Sequence, residues 1–136
     1  MLEVAIKQQL QGLFAGLNHT IELVIEPSSH AKQAELLKML EEVASTSSDL
    51  KVRFGDSPAL SPRFAIHRDG QPTGIVFQGI PGGHEFTSFI VALLNTAGKG
   101  KLPDSGLVNR IRRIGPVDIR TYVSLSCENC PDIVQA

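Results

Sequence analysis

The feature that most narrows the fold is an alternation of two hydrophobic periods along residues 2–98. Leu2, Ile6, Leu10, Leu13, Phe14 and Leu17 recur at the spacing of one helix face, and Leu36, Leu37, Leu40, Val43 and Ala44 repeat it within Ala31 to Ala44. A third stripe, Phe86, Phe89, Ile90, Leu93, Leu94 and Ala97, follows Gly79-Ile80-Pro81-Gly82-Gly83 and ends at Gly98. Between the stripes lie short runs rich in β-branched residues or alternating apolar with polar: Thr20 to Glu26, Leu50 to Phe54, Pro62 to His67 and Thr73 to Gln78. The turn chemistry agrees. Asp69-Gly70 is a hairpin pair, Gly16 and Asn18 suit a helix C-terminus, and Ser28-Ser29 offers an N-cap to the second helix.

The predicted order is α-β-α-β-β-β-α. A strand–helix–strand crossover followed by a hairpin and a closing helix makes a compact thioredoxin-like α/β unit over residues 1–98, with an added N-terminal helix. Ser61-Pro62 stands where such a fold keeps a cis proline, so a cis bond is expected there. Residues 99–103, Lys-Gly-Lys-Leu-Pro, read as a linker. The pattern then restarts over 104–136. Asp104 can cap a helix bearing Leu107, Val108, Ile111 and Ile114, Gly115-Pro116 stops it, and Val117 to Leu125 alternates as a strand. Ser126 to Pro131 leads into a last helix. The fold class is α/β, with the first of two tandem thioredoxin-like units complete and the second running only past its Cys-x-x-Cys turn.

At 136 residues, 42% hydrophobic and net charge −1, the chain excludes a polyanion-binding surface spread along its length. Arg110, Arg112, Arg113 and Arg120 read as a solvated helix face rather than a nucleic-acid site. The longest apolar run, Phe89 to Leu94, is far short of the roughly 20 residues that span a bilayer. No basic leader precedes an apolar stretch at the N-terminus, so a cytoplasmic location and no membrane partner are expected.

Cys127 and Cys130 carry the clearest chemistry. A disulfide needs Cα atoms about 4.4–6.8 Å apart, a separation that one helical turn provides. A first cysteine at a helix N-terminus gains thiolate character from unpaired amides and the dipole, and a second, one turn in, can resolve a mixed disulfide. Pro131 is tolerated in a first turn. Two other readings stand beside the redox dithiol: a pair of ordinary reduced thiols, and a zinc site. Zinc would need four N or S ligands, and His19, His30, His67 and His84 are scattered without paired spacing, so no metal is expected. Glu85 in a helix's first turn reads from position alone as a capping carboxylate. Gly79 to Gly83 lacks the Lys and Ser/Thr of a phosphate-binding loop, and no Gly-x-Gly-x-x-Gly is present, so no cofactor-binding residue is assigned.

Thr121 to Ala136, containing Ser126-Cys127-Glu128-Asn129-Cys130-Pro131, together with Gly83-His84-Glu85-Phe86-Thr87-Ser88, resembles the N-terminal domain of the flavoprotein subunit of bacterial alkyl hydroperoxide reductase. The resemblance implies two fused thioredoxin-like folds of which the second carries the dithiol. It implies a parent enzyme, an NADH-dependent peroxiredoxin disulfide reductase, that passes electrons from NADH to FAD, to a dithiol of its C-terminal flavin reductase portion, to this dithiol, and on to a peroxiredoxin partner. Cys127 would be the interchange thiol, Cys130 the resolving thiol and Glu85 the acid/base beside them. FAD and NADH belong to the parent and not to these residues. The other function class is a non-catalytic thioredoxin-like module for binding or dimerisation, with the 117–125 edge pairing to a second copy.

Overall fold

The computed structural model describes residues 2–136; Met1, the first residue of the expected first unit, lies outside the described residues. Helix α1 (Val4–Leu13) leads to β1 (Ile21–Ile25), α2 (Gln33–Ala44), β2 (Leu50–Phe54), β3 (Arg63–Arg68), β4 (Gln71–Gln78) and α3 (Phe86–Thr96). The strands form a sheet in the order β2-β1-β3-β4. β1 and β2 are parallel across the α2 crossover, β3 is antiparallel to β1, and β4 is antiparallel to β3. This is the expected α/β layer through α3.

The period of two decides what the sheet buries. Ile21, Leu23 and Ile25 lie beside Leu50 and Val52 on one side and Ile66 and Phe64 on the other. They pack in one cluster with Leu10 and Phe14, with Leu36, Leu40 and Val43 of α2, and with Phe89, Ile90 and Leu93 of α3. Phe64 stacks on Phe77 at 5.3 Å and meets Phe89 edge-on at 5.2 Å, tying β3, β4 and α3 together. Intervening positions carry charge: Arg53 donates to Glu22 Oε2 at 2.7 Å and lies 3.4 Å from His67 Nδ1. Gly74, at φ +86°, takes up extra residues of β4 where the register passes from Ala65↔Val76 to His67↔Pro72. Pro72 is tolerated because β4 is an edge strand.

Some expectations fail, each for a local reason. α2 begins at Gln33, and its N-cap Lys32 makes no side-chain capping bond. The serines do not cap it: Ser28 Oγ accepts from the His30 N–H at 3.2 Å, and His30 Nδ1 accepts from the Lys32 N–H at 3.0 Å, so the turn uses its polar groups on amides ahead of the helix. Ser61–Pro62 is trans, since there is no cis bond among the described residues. The Pro62 carbonyl accepts the Gly79 N–H at 2.7 Å, so the chain enters β3 with the isomer that even prolyl bonds prefer. Val117 to Leu125 forms no strand. A strand exists only where a neighbour shares its ladder, and none of the four strands pairs with this segment. Its alternation describes a face without supplying a partner, and Tyr122 is left 86% exposed. The preceding helix, α4 (Ser105–Arg112), does form, with Asp104 accepting the Leu107 N–H at 3.0 Å.

The β3–β4 turn closes through Asp69 (φ +51°) and Gly70 (φ +83°). Asp69 also pins the turn to the start of β1: Oδ2 lies 2.7 Å from His19 Nδ1, and Oδ1 accepts the Thr20 N–H at 2.9 Å. The His19 bond first, and the Thr20 amide second, hold the Asp69 carboxyl below its ordinary value of 3.8. A carboxyl depressed on folding stabilises the fold above its unfolded pKa, and that contribution is lost as pH falls through the folded value. Asp69→Asn is expected to make urea midpoints fall less steeply below about pH 4; an unchanged acid slope would show that the turn carboxylate carries none of it.

Candidate functional site

After α3 the chain is tied back to the turn that follows α1, with Lys99 Nζ donating to the Ala15 carbonyl at 2.7 Å. It runs through α4 and returns to the sheet unit at Leu125. Cys127 and Cys130 form a disulfide with Cα atoms 5.5 Å apart. Cys130 is the first residue of α5 (Cys130–Gln135), with Pro131 behind it. Cys127 therefore precedes the helix instead of opening it, and Cys130 opens the helix instead of lying a turn inside. Cys127 Sγ accepts the Cys130 N–H at 3.2 Å. That amide is one of the first-turn donors that no helix satisfies internally. Both cysteines are half-buried.

The wall beside this turn comes from the sheet unit. A 3-10 turn, Gly83–Glu85, runs directly into α3. The His84 N–H donates to the Leu125 carbonyl at 3.1 Å, two residues ahead of Cys127. Gly83 has φ +54°, and a Cβ built on it would stand 2.8 Å from the Leu125 oxygen. On the far side of the disulfide, Gln135 Nε2 donates at 3.2 Å to Ser88 Oγ, and Ser88 is buried in α3. Gly83, Ser88 and Gln135 stand within the two resembling segments with no role assigned there; the Gly-Gly pair directly before a helix points to a close backbone approach without naming what approaches.

Glu85 lies on the same turn. It is 3% exposed, neither carboxyl oxygen has a hydrogen-bond partner, and it makes no capping bond to α3. The capping expectation is thereby corrected: the side chain turns into the protein, away from the helix's free amides. Among the described residues it is the one fully buried carboxyl. No group of three or more His, Cys, Asp or Glu side chains gathers among the described residues to hold a metal. His19 pairs with Asp69, His30 accepts from the Lys32 amide and His67 lies by Arg53, so these three histidines are engaged elsewhere, whereas His84 lies on the turn that meets Leu125. No described helix is long and apolar enough to cross a membrane.

Burying a carboxyl without a partner costs stability, and an apolar group of similar shape avoids that cost. Glu85→Met is expected to raise unfolding stability by about 1–3 kcal/mol, read from urea denaturation. A loss of stability would mean that the carboxylate is a structural cap after all.

No protein-family model matches the chain. Over 137 aligned positions and the whole of this chain it is 38% identical to the AhpF subunit of alkyl hydroperoxide reductase from Staphylococcus epidermidis, covering 27% of that protein. The corresponding figures are 36% identity and 26% coverage for the AhpF subunit of Pseudomonas aeruginosa. A Bacillus subtilis protein named NADH dehydrogenase is 35% identical, again over 27% of its length. The chain thus spans about a quarter of the curated relatives it matches. The crystal structure of the NTD_N/C domain of alkyl hydroperoxide reductase AhpF from Enterococcus faecalis aligns with a TM-score of 0.83 at 27% identity, covering 99% of this chain and 72% of that one. The likeness runs the full length of this chain, in sequence to AhpF subunits of alkyl hydroperoxide reductase and in backbone to the N-terminal domain of one of them.

Proposed function

We propose that the chain is the thiol–disulfide transfer module of such a reductase, with residues 2–98 a thiol-free thioredoxin-like unit, 99–103 a connector and 104–136 the opening of a second unit that carries the dithiol. The observation that carries this reading is the Cys127–Cys130 disulfide at the open end of α5, packed beside a turn that bears a buried, unpartnered carboxyl.

In the reduced module the Cys127 thiolate attacks one sulfur of the peroxiredoxin partner's disulfide. A mixed disulfide forms and the partner's other sulfur leaves as a thiolate. Cys130 then attacks the Cys127 sulfur, expelling the partner's second thiolate, so the partner gains two electrons and the module is left as the disulfide seen here. Glu85 takes the Cys130 proton as that attack begins and returns it when the pair is next reduced. The names of the relatives support an oxidoreductase parent that uses NADH. The residues of this chain do not fit FAD or NADH themselves: the Gly79–Gly83 loop has no dinucleotide fingerprint, and the first amide after it is taken by Leu125. The FAD and NADH sites are accordingly assigned to the rest of the parent, which supplies the two electrons that reopen the disulfide.

In the full-length reductase, Cys127→Ser and Cys130→Ser are each expected to abolish peroxiredoxin reduction. They differ on a non-reducing gel: Cys130→Ser traps a mixed disulfide with the oxidised peroxiredoxin, and Cys127→Ser traps none. Glu85→Gln should slow the exchange about 10²–10⁴-fold and flatten its pH profile. Retained turnover in either serine variant would overturn the assignment.

A second reading is favoured by the exposed apolar side chains between Leu102 and Ile133, with Ile119 77% exposed. In it the segment pairs with a second copy of the chain and the module serves binding. Light scattering would then give a dimer mass; a monomer at every concentration removes this reading.

A further inference from the structure

Apart from the disulfide, the described residues hold one sulfur atom, that of Met39. It stands on α2, three residues after the buried Leu36 and four before the buried Val43, on the flank of that helix's apolar stripe. Its side chain is half-buried and borders a surface hollow of about 190 Å³, walled also by Leu2, Glu35, Lys38 and Glu42. Its methyl end meets the turn beside the cysteines: a Cβ built on Gly82 would lie 3.8 Å from Met39 Cε. Gly82 has no side chain to separate the two. The Gly82 carbonyl accepts the Glu85 N–H at 3.0 Å, closing the 3-10 turn on which Glu85 is buried and from which the His84 amide reaches Leu125.

We propose that Met39 is a site of oxidation by hydroperoxides, and that its sulfoxide loosens the turn that carries Glu85. The effect on the disulfide rests on the redox reading above; the oxidation of Met39 does not. The thioether sulfur attacks the outer oxygen of the hydroperoxide. An S–O bond forms as the O–O bond breaks, the sulfur gives up two electrons, and the outer oxygen's proton moves to the departing oxygen, which leaves as an alcohol. While Cys127 and Cys130 are joined to each other neither is a thiolate, so Met39 is the described sulfur open to this step. The product replaces a flexible apolar group with a polar one. An oxygen that stays against Gly82 takes room that the turn must give. An oxygen that swings into the hollow takes with it the methyl that covers the turn. Both outcomes displace the Gly82–Glu85 segment, and with it the carboxyl that returns a proton to Cys130 when the pair is reduced.

The test exposes the disulfide form of the chain to tert-butyl hydroperoxide and maps the added oxygen by mass spectrometry. The peptide bearing Met39 is expected to gain one oxygen at a rate within about tenfold of that in the urea-unfolded chain. Greater protection in the folded chain would overturn the site. The oxidised chain is then treated with dithiothreitol, and its disulfide is expected to open about tenfold more slowly than before oxidation. Met39→Leu, a swap of similar volume, should open at the untreated rate before and after peroxide; slowing in that variant would assign the effect to another residue. Met39→Gln sets a polar group there without peroxide and should open slowly from the start. Unchanged opening in wild-type chain oxidised at Met39 would overturn the coupling. A wild-type disulfide that no thiol reduces would sink the redox reading and the coupling with it, while the oxygen mapped at Met39 is judged on its own.

Discussion

The backbone contact between Leu125 and the Gly83-His84 pair is the hinge of the whole arrangement. A helix start leaves its first amides without internal partners, and here one of those amides, on His84, is satisfied by a carbonyl from 41 residues further along the chain. A single such bond is worth only about 0.5–1.5 kcal/mol net. Its effect is larger than its energy because it fixes the backbone two residues ahead of Cys127 against the start of α3. A side chain at residue 83 would meet the carbonyl at 2.8 Å, and a backbone atom cannot swing aside as a flexible side chain can. Glycine is therefore required at this position by the approach itself as well as by its φ of +54°.

That contact works only if the turn bearing it is rigid, which is where the sheet unit enters. α3 is fastened by Phe89 against Phe64 and Phe77, and Leu93 and Ile90 bury beside them. The aromatic trio crosses from the helix onto two strands, so the start of α3 is fixed relative to the sheet and not merely to its own axis. The thiol-free unit is in this sense a jig. Its strands and helices hold no thiol, yet it carries the His84 amide and the Ser88 hydroxyl that Leu125 and Gln135 reach.

Much of this fold was legible in the sequence because its signals are local or periodic. The stripes of α1, α2 and α3, the Asp69-Gly70 turn, the Asp104 cap and the Cys127–Cys130 spacing each follow from a few neighbouring residues. The expectations that failed depend on groups distant in sequence. Val117 to Leu125 alternates as a strand does, but pairing needs a neighbour and none of the four strands is one. Ser28 and Ser29 have the chemistry of an N-cap, but His30 competes for the amide at Lys32. Glu85 had the position of a capping carboxylate, and nothing in its own neighbourhood reveals that its side chain turns inward. The contact between Leu125 and His84 was invisible for the same reason: a carbonyl is common to all residues, so the sequence cannot mark Leu125 as an acceptor.

Glu85 is the point at which stability and the proposed chemistry pull apart. A fold optimised for stability would place Leu or Met at a site 3% exposed with no hydrogen-bond donor in reach. A proton carrier for a dithiol needs the opposite: an ionisable group shielded from bulk water, so that its proton goes to the sulfur and not to solvent, and free of permanent partners, so that neither protonation state is locked. Those two conditions describe the observed environment of Glu85, and they are also what makes it costly. The rigid aromatic core beneath α3 is what allows the fold to tolerate that cost without the turn rearranging to expose the carboxyl. The same rigidity that holds Gly83 against Leu125 therefore keeps Glu85 buried on that turn, and both properties belong to the unit that carries no cysteine.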